Sequence, residues 1–287
     1  YPFDVAVDSS GNVYTTQYYY HKVLKYNSSG TYLKSIGSYG TGNNSFRYPT
    51  SIDVDSNDNI YILDYYNRRF ISFDSSGKFR CKKTLPYTPY LYDDLEINSQ
   101  DVIHITQYRS HSSNSLGRIF QYNTSCNKTG DIVFNEYIGP MAIDSSDNIW
   151  VWKGFGGGGQ LVKLDSSGTY LGTQGLSYGC VTKSGQGSPP YGGTKTTYVT
   201  DMEADSSGNI YFSDLYCNSI QKYDTNINYV TFFGSYGTGS DQWRYSYGFD
   251  IYNDEIYLAD FNNHRILNFT LTGTKQSAIG QSDDRMT

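Results

Sequence analysis

The chain has 287 residues, a formal net charge of −6, and only 17% charged residues beside 31 tyrosines and 29 glycines. An acidic balance whose basic runs are no longer than Arg68-Arg69 and Lys82-Lys83 argues against a nucleic-acid partner. The longest apolar runs are strand-sized, which argues against a membrane span. Strand-favouring aromatics mixed with turn-favouring Gly, Ser and Asn predict an all-β, loop-rich protein. The chain opens at Tyr1 without methionine or a leader pattern, so a mature or partial chain is expected.

One phrase recurs along the chain. Val5-Ala-Val-Asp-Ser-Ser-Gly-Asn-Val-Tyr14 returns as Ile52-Asp-Val-Asp-Ser-Asn-Asp-Asn-Ile-Tyr61. Met141 and Met202 open two more copies, and weaker ones start at Leu95 and Phe249. The residue ending the first strand of each copy is Asp8, Asp55, Asn98, Asp144, Asp205 or Tyr252, at spacings of 47, 43, 46, 61 and 47. Within a copy, alternation predicts four short strands, as in Ser51 to Asp55, Ile60 to Asp64 and Arg69 to Phe73 with a fourth after the Asp74-Ser-Ser-Gly77 turn. Six such units predict a single domain, an all-β six-bladed β-propeller of four-stranded antiparallel blades. The units run approximately 1–47, 48–89, 90–136, 137–197, 198–244 and 245–287.

Asp64-Tyr-Tyr-Asn-Arg-Arg-Phe70 and Asp260-Phe-Asn-Asn-His-Arg-Ile266 resemble the NHL repeat, in which an Asp ends the second strand and an Asn and a basic residue precede the third. Asp214-Leu-Tyr-Cys-Asn-Ser-Ile220 is a partial match, while the third and fourth units depart from the pattern. The resemblance covers nearly the whole chain and implies a propeller. It leaves function open, because NHL propellers include RNA binders, protein-binding domains and a metal-dependent lyase. Two near-identical connections, Gly37-Ser-Tyr-Gly-Thr-Gly42 and Gly234-Ser-Tyr-Gly-Thr-Gly239, lack the helix and Gly-Lys-Ser/Thr of a phosphate loop and read as inter-blade turns. The longest connection runs from Gly175 to Thr197.

In a propeller the loops after the second and fourth strands share one face. Tyr18, Tyr19, Tyr20, Tyr65, Tyr66, Tyr108, Phe155, Tyr216 and Phe261 fall there, and exposed aromatics of this kind mark interaction sites. Histidines His21, His104, His111 and His264 are too scattered to converge on zinc, and no Ser–His–Asp set or dinucleotide fingerprint is present. Four cysteines without CxxC spacing predict two blade-to-blade disulfides, Cys81–Cys126 and Cys180–Cys217. Sequons at Asn27, Asn43, Asn123, Asn127 and Asn268 predict N-glycosylation, and with the cysteines they predict secretion.

The first strands are unusually acidic: Asp4, Asp53, Asp94, Glu96, Asp201, Glu203 and Asp250 would surround the propeller axis. Like charges there repel unless screened, and a hard cation such as calcium suits oxygen ligands. Asp4, Asp94 and Asp201 are the expected ligands, set against the alternative that these groups accept hydrogen bonds between blades around a water-filled channel. The expected function is a non-catalytic, extracellular protein-interaction or self-assembly module. The alternatives are a lyase or hydrolase with an axial cation, and a glycan-binding propeller.

Overall fold

The computed structural model describes residues 1–86, 90–109, 117–154, 159–175 and 198–280. Their strands form six sheets, each of four strands consecutive in sequence. The innermost strands are Pro2–Val7, Pro49–Val54, Tyr90–Ile97, Ile138–Ile143, Val199–Ala204 and Phe249–Tyr252. Each touches the next around a closed ring. The protein is therefore an all-β six-bladed propeller. The only helical segments among the described residues are single 3-10 turns at Tyr65–Asn67 and Phe261–Asn263.

The recurring phrase folds each blade's first hairpin. Asp8 accepts the N–H groups of Ser10 and Asn12, both through Oδ1, the Nδ2 of Asn12 and the hydroxyl of Tyr14. Asp55, Asp144 and Asp205 repeat this, Trp150 standing in for the tyrosine in the fourth blade. Burial raises the pKa of Asp8, but the Asn12 hydrogen bonds and Lys25 outweigh it, so Asp8 titrates below its usual range. The third blade keeps the geometry with neutral groups. Asn98 replaces the aspartate, and His104 and Gln121 replace the tyrosine and lysine, with Gln121 Nε2 at 3.1 Å from His104 Nε2. Burial lowers the His104 pKa to about 4, so the imidazole is neutral.

The core is divided among the blade junctions. Tyr61, Phe70, Leu95 and Phe120 fill the space between the second and third blades, and Trp150, Trp152, Met202 and Phe212 that between the fourth and fifth. A second tie runs along the hairpin turns. Ser9, Ser56, Ser99 and Ser206 each donate N–H and Oγ–H to an aspartate of the following blade: Asp58, Asp101, Asp147 and Asp254. Those aspartates have φ between 57° and 60°, a left-handed conformation held in place by the two hydrogen bonds each accepts.

The sheets of the first and last blades share no strand. Their seam is closed by Val7 N–H donating to Asp250 Oδ2 at 2.7 Å, by the Tyr252 hydroxyl donating to Ser9 O, and by an apolar cluster including Val5, Leu24, Ile266 and Ile279. The Cys81–Cys126 disulfide joins the second and third blades across a Cα separation of 6.1 Å. Cys180, predicted to pair with Cys217, lies outside the described residues.

The near-duplicate glycine loops have a structural task. Arg69 donates Nε–H to Asp64 Oδ2 and three Nη N–H groups to the Thr41, Gly42 and Ser45 carbonyls. Arg265 repeats this with Asp260, Gly239 and Gln242. Phe46 and Trp243 are buried beneath these loops, and any Cβ on Gly37 or Gly234 would overlap their rings.

Candidate functional site: the axial channel and the tyrosine-rich face

The inner strands place their acidic side chains on the channel, and side-chain length divides these into two kinds. Asp4 accepts the N–H of Val5 through Oδ1 and that of Ile52, in the next blade, through Oδ2. Asp53 does the same with Val54 and Ile97, Asp94 with Leu95 and Met141, and Asp201 with Met202 and Phe249. With Asp250 on Val7, these carboxylates tie every junction except that between the fourth and fifth blades, where Pro140 and Ala142 stand in the acidic positions. The hydrogen-bonding alternative expected from sequence thus describes the five aspartates.

Glu96 and Glu203 differ. One methylene longer, they reach past the adjacent N–H, and neither carboxylate accepts a hydrogen bond among the described residues. They flank the fourth blade, which presents only Pro140 and Ala142 to the axis. Oxygen atoms of Asp94, Glu96 and Asp201 lie within 4.8 Å of one another, close enough to share one ion. Asp4, expected among the ligands, does not join this group; its carboxylate sits at the junction of the first two blades, on the Val5 and Ile52 N–H groups. Glu96 takes its place. Sequence reasoning counted Glu96 among the axial acids but missed that only a glutamate escapes the backbone clamp.

Burial raises all these carboxyls. It lifts Asp94 to about 6 and Asp250 to about 7, against the lowering effect of the N–H groups they accept. Glu96 and Glu203 are pushed well above their usual range by burial and then by neighbouring carboxylates, Glu203 leading for Glu96 and Asp250 for Glu203. No backbone N–H offsets these two. The channel opens on the turn face into a cavity of about 560 Å³, lined by Ile97, Ala204, Ile251, Asn98 and Asp205 among others.

The described histidines stay apart. His21 Nδ1 accepts the Tyr48 N–H, His104 is buried in the third blade, and His264 packs on the Tyr1 ring. His111 lies outside the described residues. Asp214, the fifth-blade counterpart of Asp64, has Ser219 where Arg69 would be. Its Oδ1 accepts from Tyr216 and Cys217, its buried Oδ2 has no donor, and burial raises it to about 6.

On the tyrosine-rich face, Tyr19, Tyr20, Tyr66 and Tyr216 are exposed. Tyr18 stacks on Phe3, and Tyr65 is half-buried. Phe261, expected on the surface, is buried against Phe3, Tyr19 and Tyr247, because Phe3 and Tyr247 close over it. The Tyr108 side chain and Phe155 lie outside the description. Of the sequons, Asn43, Asn123 and Asn127 are exposed and Asn27 half-buried in its turn. Asn268 is the correction: it is 3% exposed and its Nδ2 donates to Glu255 Oε2, leaving no room for a glycan in the folded chain.

Fold and channel together define a six-bladed propeller with an acidic axis. Residues 7–150 match the family described as 6-bladed beta-propeller, and the chain belongs to that family. No curated protein matches the sequence. Among solved structures, the chain is similar to virginiamycin B lyase from Staphylococcus aureus, at 11% identity and a TM-score of 0.61 over 99% of this chain and 85% of that one. It is also similar to a gluconolactonase from Xanthomonas campestris, at 11% identity and TM-score 0.59 over 90% and 82%. A chain of the nidogen/laminin complex matches at 11% identity and TM-score 0.63 over 93% and 92%. At such identities the likeness is one of fold.

Proposed function

We propose that the axial channel holds a hard divalent cation and that the protein is a cation-dependent lyase or hydrolase working at the channel. The observation that carries this reading is the approach of Asp94, Glu96 and Asp201 oxygens within 4.8 Å, beside Glu203, with no donor on either glutamate. Oxygen-only donors suit calcium or magnesium better than zinc. A bound cation would supply Lewis-acid polarisation of a substrate oxygen or acidify a bound water. The chain's own part is orientation. Met141 and Phe249 N–H groups hold Asp94 and Asp201 from the neighbouring blades, so the ligand oxygens are fixed before anything binds. The lyase and the gluconolactonase support the reading only in that this fold hosts such chemistry.

A second reading, an interaction module, is favoured by the exposed Tyr19, Tyr20 and Tyr66 and by the fold shared with a chain of the nidogen/laminin complex. NHL-type membership is inferred from the Asp64–Asn67–Arg69 and Asp260–Asn263–Arg265 contacts. An extracellular setting accords with the Cys81–Cys126 bridge. Thermal melting tests the cation: calcium should raise Tm and a chelator should reverse the rise. An unchanged Tm in both would leave a water-filled channel.

A further inference from the structure

The duplicated loops present something the fold does not use. After each buried aromatic anchor, Phe46 or Trp243, comes an arginine whose backbone is fixed on both sides. Arg47 N–H donates to Asp64 Oδ1 at 2.7 Å and its carbonyl accepts from Tyr66. Arg244 N–H donates to Asp260 Oδ1 at 2.8 Å and its carbonyl accepts from Asn262. The next residue, Tyr48 or Tyr245, is held at a φ of 56° or 62°, a conformation tyrosine rarely adopts, with its N–H on His21 or Asn218.

The guanidinium groups have no carboxylate partner among the described residues. Arg47 lies 5.1 Å from the Tyr39 ring centre and 5.5 Å from that of Tyr66, and donates to the Tyr39 hydroxyl. Arg244 lies 5.4 Å from the Tyr236 ring, and its Nε has no acceptor. Tyr39 and Tyr66 are each 60% exposed, so these rings flank the cation and still offer a face to solvent. A guanidinium on a fixed backbone beside aromatic rings is suited to a planar carboxylate carried on a ring that can stack.

An aromatic track leads from one arginine towards the other. Tyr66 meets Tyr48 at 5.7 Å, Tyr48 meets Tyr18 at 4.9 Å, Tyr18 meets Phe3 at 5.0 Å, and Phe3 meets Tyr247 at 4.6 Å. Tyr247 is three residues beyond Arg244. Among the described residues, the exposed large apolar residues of this loop face are tyrosines, whereas exposed Leu33, Val133, Leu171 and Val230 all lie on outermost strands. A protein docking here would ordinarily bury aliphatic side chains at its centre; phenol rings without aliphatics suit sugar rings.

We propose that this face binds an acidic polysaccharide of the polyuronate class, with Arg47 and Arg244 each gripping a carboxylate and the tyrosine track carrying the sugars between them. The proposed grip uses none of the axial carboxylates and does not depend on the cation. The test is calorimetric binding of an oligogalacturonate, long enough to span both arginines, in chelator so that no cation takes part. Wild type should bind, and Arg47→Ala or Arg244→Ala should each weaken binding about tenfold and the pair about a hundredfold, with Tm unchanged. Arg47→Lys with Arg244→Lys should recover only part, since a lysine lacks the planar fork. No binding by wild type, undiminished binding by the double alanine variant, or equal binding of the methyl-esterified oligomer would overturn the proposal. So would equal binding of polyglutamate, which would assign the face to acidic protein instead.

Discussion

The five axial aspartates and the two axial glutamates share the inner strands and the sign of charge, yet only the aspartates are structural. Four of the aspartates accept their own neighbour's N–H and that of the next blade, and Asp250 accepts that of Val7, so fixed dipoles offset the charge. Burial raises Glu96 and Glu203 as well, and no such dipoles offset it. The comparison teaches that an acidic ring is not one feature. Its clamped members hold the propeller together, and beside two of them, Asp94 and Asp201, Glu96 adds an unclamped carboxylate for a ligand.

Removing a clamp should break the comparison most visibly. Asp53→Ala leaves the Val54 and Ile97 N–H groups without their acceptor, and should cost about 2–4 kcal/mol in denaturant unfolding. Asp53→Glu keeps the charge but loses the reach to Val54, so it should recover less than half of that loss. Full stability in Asp53→Glu would mean that charge, not side-chain length, decides the clamp.

The glutamates should behave oppositely, and with pH. A carboxyl raised in the folded state binds its proton more tightly there than in the unfolded chain. Its ionisation therefore destabilises the fold as pH rises. Glu96→Gln and Glu203→Gln should match wild type near about pH 5, and exceed it by about 1 kcal/mol or more near about pH 8 without added cation. Taking the difference between variant and wild type cancels His104, whose lowered pKa acts in the other direction at acid pH. A difference that stays flat with pH would show that the glutamates are solvated like surface carboxylates.

Much of the propeller was legible in the sequence because its repeat is itself a hydrogen-bonded turn: Asp8, Asn12 and Tyr14 are conspicuous in any copy. The acidic axis was legible because inner strands can be identified by their place in the repeat. What could not be read was which carboxylate meets a backbone donor, since the donor belongs to another blade about 45 residues away, as the 44-residue separation of Asp53 and Ile97 illustrates. Asn268 failed as a glycosylation site for a related reason. A sequon reads the same on a turn as on a strand whose side chain faces Glu255. The arginines of the glycine loops repeat in the sequence as Phe46-Arg-Tyr48 and Trp243-Arg-Tyr245, but the sequence did not tell that Arg69 is absorbed by carbonyls while Arg47 meets only tyrosines.

The smallest expected effect lies at the junction without clamps. Between the fourth and fifth blades Gly208 stands where Asp58, Asp101, Asp147 and Asp254 receive a serine, and Ser145 is left exposed. Gly208→Asp should restore the tie to Ser145 and add about 0.5–1.5 kcal/mol. Its φ of 79° is close to that of the four aspartates already in place, and a Cβ there would meet only Thr225 at ordinary contact distance. A destabilised variant would show that Trp150, Trp152 and Phe212 set a spacing at this junction that the turn cannot bridge.

The claim that Glu96 joins Asp94 and Asp201 in holding a cation is tested most directly by isothermal titration of calcium into wild type and into Glu96→Gln, in two buffers of different ionisation enthalpy. The account predicts one site per chain in wild type, a buffer-dependent heat from protons displaced off the raised carboxyls, and at least about a tenfold loss of affinity in the variant. Binding of equal strength in Glu96→Gln, or no saturable heat in wild type, would contradict it.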